Sequence, residues 1–170
     1  MLTTDTNFAA VVHHDHVSGR AATELSPGAA WLLGALLIRT QQVSQAVVTH
    51  DGDTTSELFA RTFLRGVINA DSWAARATYA GTGTLDYHLW CQDTLSAPGG
   101  RITTTDDVTS IRLYRADGHI IGGAALADLG ERMAINRAPL PVNDQAKGTI
   151  EDRAAELQQA WATTREEGAG

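Results

Sequence analysis

SWAARATYAGTGTLDYHLWCQ, residues 72–92, decides how the chain is read. In its first part Trp73, Ala75, Ala77 and Tyr79 fall on one side of a period of two, and Arg76 and Thr78 on the other. That is the pattern of a half-buried strand over 72–80. Gly81-Thr82-Gly83 interrupts it as a bulge or hairpin. Alternation then resumes, with Leu85, Tyr87, Leu89 and Cys91 against Asp86, His88, Trp90 and Gln92, which turns His88 outward.

Working upstream, GAAWLLGALLI (residues 28–38) follows Ser26-Pro27, a capping residue and a proline suited to a first helical turn. The helix is expected to run to about Val48. Its first half is apolar all round and needs cover on every side, whereas Val43, Ala46 and Val47 keep only a stripe. His50-Asp51-Gly52-Asp53 ends it in turn residues, and from Phe59 the period moves towards two. Downstream of the Pro-Gly-Gly loop at 98–100, a third strand spans about 102–115. Ala116-Asp117-Gly118 is a hairpin signal into a fourth strand, 119–127. Pro139 and Pro141 mark a connector. Thr149 and Asp152, at capping-box spacing, start a helix to about 167 with the stripe Ile150, Ala154, Leu157 and Trp161.

These elements predict an α+β fold: a strongly curved antiparallel sheet wrapped around a long helix, cone-shaped or hotdog-like, plus a C-terminal helix. Residues 1–138 form the single domain, and 139–170 the connector and amphipathic helix. The chain has 170 residues, 43% hydrophobic and 19% charged, as one ordinary globular domain does. Its net charge of −7 argues against nucleic acid and anionic lipid as partners. Residues 1–10 carry no Lys or Arg, and the 28–38 run is about half the roughly 20 residues a bilayer crossing needs. A cytoplasmic location without membrane association is the expectation.

Phosphate-cradling, dinucleotide, nucleophile-elbow, HExxH and CxxC motifs are all missing, which leaves acid-base work by scattered residues in a pocket, or binding alone. His13-His14-Asp15-His16 is the densest set of metal-ligand types, but on a strand only His14 and His16 share a face, so no metal and no cofactor are expected. Cys91 reads as a small buried apolar residue. If Ile111 and Leu113 face inward, the same period points Thr109 and Asp107 inward. A desolvated carboxyl is what proton-shuttling chemistry uses; the alternative places Asp107 at the wet mouth of the sheet. Tyr79 and Tyr87 are candidate phenol donors, and Trp31, Phe63, Trp73 and Leu113 candidate cavity walls.

Asp71, Ala74, Arg76, Gly81 and Thr82, followed by Gly100, Arg101, Arg115, Asp117, Gly118, Ile120 and Asp128, match the strand and hairpin pattern of SnoaL-like and ketosteroid-isomerase-like proteins. The stretch from 70 to 128 resembles the C-terminal half of that cone-shaped family. The resemblance implies a cofactor-independent isomerase, cyclase or dehydratase acting on a small apolar molecule, for instance a polyketide-like one, with Asp107 where isomerase-like members carry an acid that donates to an oxyanion. Phe63-Leu64-Arg65 and Gly83-Thr84-Leu85-Asp86-Tyr87 are instead similar to hotdog-fold acyl-CoA thioesterases and dehydratases. A non-catalytic ligand-binding or dimerisation module of the same shape is the third reading. A homodimer is expected, because an open sheet leaves a face to cover.

Overall fold

The computed structural model describes residues 6–70, 75–135 and 148–170. In chain order the elements are α1 (Phe8–Val11), β1 (Val17–Arg20), α2 (Pro27–Gln41), β2 (Gln45–His50), α3 (Thr54–Ala70), β3 (Arg76–Thr82), α4 (Leu85–Leu95), β4 (Gly99–Thr105), β5 (Val108–Tyr114), α5 (Gly123–Ala134), β6 (Thr149–Asp152) and α6 (Ala154–Gly168). The six strands form one sheet in the order β1-β5-β4-β2-β3-β6. β2 pairs in parallel with both β3 and β4, and β3 with β6, while β5 runs antiparallel to β1 and β4. This mixed sheet, covered on both faces, replaces the expected antiparallel wrap around one helix.

Local chemistry explains the difference. The helix that begins at Pro27 stops at Gln41, where Gln42 takes a left-handed conformation (φ 53°) and its N–H reaches back to Ile38 O. Released from the helix, residues 45–50 become a strand, buried along almost its whole length. Ala46 and Val48 belong to one core and Val47 to the other, so β2 is covered on both sides as parallel strands are. Phe59, Ala60, Phe63, Leu64 and Val67 are a helical stripe, buried on α3.

The alternation at residues 85–92 belongs to a helix. Thr84 caps it, its hydroxyl accepting from Tyr87 N, and Ser96 ends it with φ 50°. The buried set Tyr87, His88, Cys91 and Gln92 follows helical spacing, so His88 is fully buried rather than turned outward. The single strand expected over 102–115 is two, folded at Asp106 and Asp107. Both have positive φ (51° and 64°), as a two-residue type I′ hairpin requires. The Ala116-Asp117-Gly118 turn forms, with Arg115 N donating to His119 O, but only an isolated bridge from Tyr114 to Ile120 follows before α5 begins. At the C-terminal end Thr149 opens an edge strand, and Asp152 accepts from Ala154 N to start α6.

One core lies between the sheet and α2, α3 and α5, and includes Trp31, Phe63, Ile111 and Leu113; a smaller one under α4 and α6 holds Val47, Ala80, Tyr87, Cys91 and Leu157. α2 and α3 touch backbone to backbone. A methyl group on Gly66 would overlap the Trp31 carbonyl, and one on Gly34 the Phe63 carbonyl, so each helix supplies a glycine where the other's backbone comes closest. Among the described residues no helix is long and apolar enough to cross a membrane.

Candidate functional site

The connection through α3 carries the chain from β2 to β3 on one side, and the connection through α4 brings it back to β4 on the other. β4, the other neighbour of β2, leaves its carboxyl end the opposite way, through the Asp106–Asp107 turn to β5, so the chain departs in opposite directions from the ends of β2 and β4. Beside these two strand ends, against residues 20–23 at the end of β1, a crevice opens. A cavity of about 370 Å³ lies there, lined by Arg20, Ala21, Ala22, Thr23, Thr55, Thr104 and Asp107.

Asp51 ties the two loops together. One carboxylate oxygen accepts from Thr104 N at 2.8 Å and the other from Asp53 N at 3.1 Å. Burial alone would raise the Asp51 pKa, but these bonds and one from the Ser56 hydroxyl outweigh it and hold the carboxyl below its ordinary value. Asp53 in turn accepts from Thr55 N at 2.7 Å and Ser56 N at 3.3 Å, occupying the first free amides of α3. Ser56 Oγ lies 2.8 Å from Thr104 Oγ1, and Thr104 Oγ1 lies 3.0 Å from Thr109 Oγ1, so Thr104, which borders the cavity, is held by the buried hydroxyls of Ser56 and Thr109. Ala21 N donates to Asp107 O at 3.2 Å and joins the β4–β5 turn to the end of β1. Arg20 is the cation of the cavity, exposed and without an ion pair among the described residues.

Beside this crevice, His50 Nδ1 accepts from Gly52 N at 3.1 Å, which leaves Nε2 to carry the proton and donate to the Tyr79 hydroxyl at 2.8 Å. The Tyr79 hydroxyl donates at 3.4 Å to Glu57, and the Arg61 guanidinium lies 4.3 Å from the centre of the Tyr79 ring. Burial lowers the His50 pKa and raises that of Tyr79, so both are neutral near pH 7 and brace the turn that carries Asp51.

The structure scatters the residues singled out from sequence. Asp107 is exposed in the hairpin turn and borders the crevice; the two-residue turn breaks the period expected to carry it inward with Ile111 and Leu113. Tyr87 donates its hydroxyl to Ala80 O at 2.8 Å, and burial pushes its pKa well above the phenol range. Trp31, Phe63 and Leu113 pack in the core. Trp73 lies outside the described residues. His13 and His16 stack with ring centres 4.8 Å apart, and His16 bonds Asp15 at 2.6 Å. No group of three or more potential metal ligands forms among the described residues. Burial raises the Cys91 thiol pKa to about 11. Sequence reasoning missed Arg20, Thr23, Thr55 and Thr104; the signal for them was the acid and hydroxyl run DGDTTS (51–56) directly after a buried apolar segment.

No family model and no curated protein matches the chain. Among solved structures it is similar to a phosphoglucomutase/phosphomannomutase family protein from Burkholderia thailandensis, with a TM-score of 0.69 and 14% identity over 84% of this chain and 32% of that one. It is also similar to a protein described as a phosphomannomutase from Thermus thermophilus, with a TM-score of 0.61 and 19% identity over 82% of this chain and 32% of that one. This chain thus matches about a third of each neighbour's length, and the likeness is one of fold. It overturns the SnoaL-like, ketosteroid-isomerase-like and hotdog resemblances. The expected isomerase, cyclase or dehydratase on an apolar polyketide-like substrate, the acyl-CoA thioesterase and the module of that shape all rested on those folds, and they are withdrawn with them.

Proposed function

We propose that this chain is a domain of phosphosugar-mutase type, which holds a hexose phosphate in the crevice between the β2 and β4 ends for phosphoryl transfer. The observation that carries the reading is the cavity of about 370 Å³ at the sheet's switch point, bordered by Arg20, by three threonines and by one carboxylate, that of Asp107. Its size falls within the roughly 300–1,000 Å³ typical of small-molecule sites.

Each group has a role suited to such a ligand. Arg20 matches the fork geometry of a phosphate. The Thr23, Thr55 and Thr104 hydroxyls can donate to phosphate oxygens or bond sugar hydroxyls, and Asp107 can accept from sugar hydroxyls. Phosphoryl transfer draws mostly on positioning and electrostatic stabilisation, which is what a fixed turn, a cation and ordered hydroxyls supply.

Calorimetric titration of the full chain with glucose 6-phosphate and mannose 1-phosphate tests this. Binding with a Kd of about 1 mM or tighter is expected, weakened roughly tenfold by Arg20→Ala and less by Asp107→Asn. Affinity unchanged by Arg20→Ala, or no heat with either sugar phosphate up to about 10 mM, would overturn the assignment.

A further inference from the structure

Arg101 on β4 and Arg112 on β5 are directly opposed in the antiparallel register. Opposed residues leave the sheet from the same face, with Cβ atoms about 4.5–5.5 Å apart. Their neighbours Ile102, Ile111 and Leu113 fill the core on the α3 side, so both arginines leave from the α4 side. A methyl group on Gly99, on that same face, would lie 3.1 Å from His88 Cε1 of α4. Like charges opposed across a ladder destabilise it.

Neither arginine has an ion-pair partner among the described residues. Arg101 donates from Nη2 to Gly83 O at 3.0 Å, while its Nε is buried and makes no hydrogen bond. One row further along this face Thr103 opposes Ser110, and Ser110 opposes Ser18. Ser110 Oγ is also buried with no partner. Two unpaired cations therefore flank a row of three hydroxyls on a chain whose net charge is −7. The nearby acids hydrogen-bond elsewhere: Asp15, whose carboxyl also feels the Arg112 charge, bonds His16, and Asp51 bonds Thr104 and Asp53. His88 is kept neutral by burial, and Tyr114 is kept protonated by burial.

We propose that this Arg101–Arg112 face is a second anion site, which takes a phosphate dianion, free or as a monoester. A carboxylate carries one charge and two oxygens in a single plane, whereas a phosphate dianion carries two charges and a tetrahedron of oxygens that can meet two forks and a serine hydroxyl from different directions. The bound dianion turns a repelling pair into two attracting ones and satisfies Arg101 Nε and Ser110 Oγ together. Thr104 of the crevice leaves β4 from the opposite face, and Arg20, opposite Val108 at the end of β1, stands one row beyond Ser18 and Ser110 at the far end of this face from Arg101 and Arg112.

Thermal unfolding of the full chain, with Arg112→Gln set against the unsubstituted parent, tests the site. Inorganic phosphate or methyl phosphate at about 10 mM, against chloride of equal ionic strength, should raise Tm by roughly 3–10 °C, and the anion giving the larger rise identifies the free or esterified form. Arg112→Gln should abolish that rise while melting no lower than its parent in chloride, because it also removes the repulsion. Arg112→Lys, which keeps the charge but not the fork, should retain only part of it. A rise of equal size in Arg112→Gln, or no rise in the parent with either anion, would overturn the site. Loss of hexose-phosphate binding alone would leave it standing.

Discussion

Gly66→Ala should lower Tm by roughly 6–12 °C, the shift that about 3 kcal/mol produces in a chain of this size. The added methyl overlaps the Trp31 carbonyl of α2, which is backbone and cannot rotate away. The two helices must separate, and with them the packing of Trp31, Phe63, Leu64 and Val67. Overpacking that flexible side chains can absorb costs about 1–3 kcal/mol, and this contact belongs at or above the upper end. Gly168→Ala is the control. Its methyl group meets nothing within 4 Å at the end of α6, so that variant should melt at or slightly above the parent temperature. Equal melting of Gly66→Ala and the parent would mean that α2 and α3 are not in backbone contact.

The second large effect is acid sensitivity through His88. Desolvation, helped by the Arg101 charge, lowers its pKa from 6.5 to about 3. The unfolded chain takes up a proton near pH 6.5 and the folded one does not until about pH 3. The stabilisation is therefore complete above pH 6.5 and is lost as pH falls towards 3, at about 1.4 kcal/mol per unit, or about 4–5 kcal/mol in all. Depressed groups such as His50 and Asp51 add to the slope with the same sign, so the contribution of His88 is isolated by His88→Gln. Urea unfolding at successive pH values should show a shallower decline in that variant. Superimposable slopes would remove His88 as the source.

How much of this was legible in the sequence depended on whether neighbouring residues or distant strands decide each element. The start of α2 at Ser26-Pro27 and the turn at His50-Asp51-Gly52-Asp53 are set locally and were readable. The side of Ala75, Ala77 and Tyr79 was also readable, because they line one core. The end of α2 was not, since its marker was Gln42 in a left-handed conformation rather than a glycine. In residues 85–91 the apolar side chains fit period two as well as the helix that forms, and the tie-breaker is the Thr84 cap with Asp86 in the first turn. A parallel sheet depends on crossovers whose strands meet only in space, and that misreading carried the functional expectations with it. The acidic pair Asp106-Asp107 marks the sheet's mouth in the sequence itself, but Arg20 and Thr104 reach the same crevice from strands far apart along the chain.

The central claim, a hexose phosphate held at the switch point, is tested most directly by following backbone amide resonances as glucose 6-phosphate is added to the full chain. Saturable shifts are expected at Ala21, Thr23, Thr55, Thr104 and Asp107, the amides that border the crevice, with little change along α5 and α6. Shifts that cluster elsewhere, or that leave residues 20–23 and 104–107 unmoved at saturation, would contradict it.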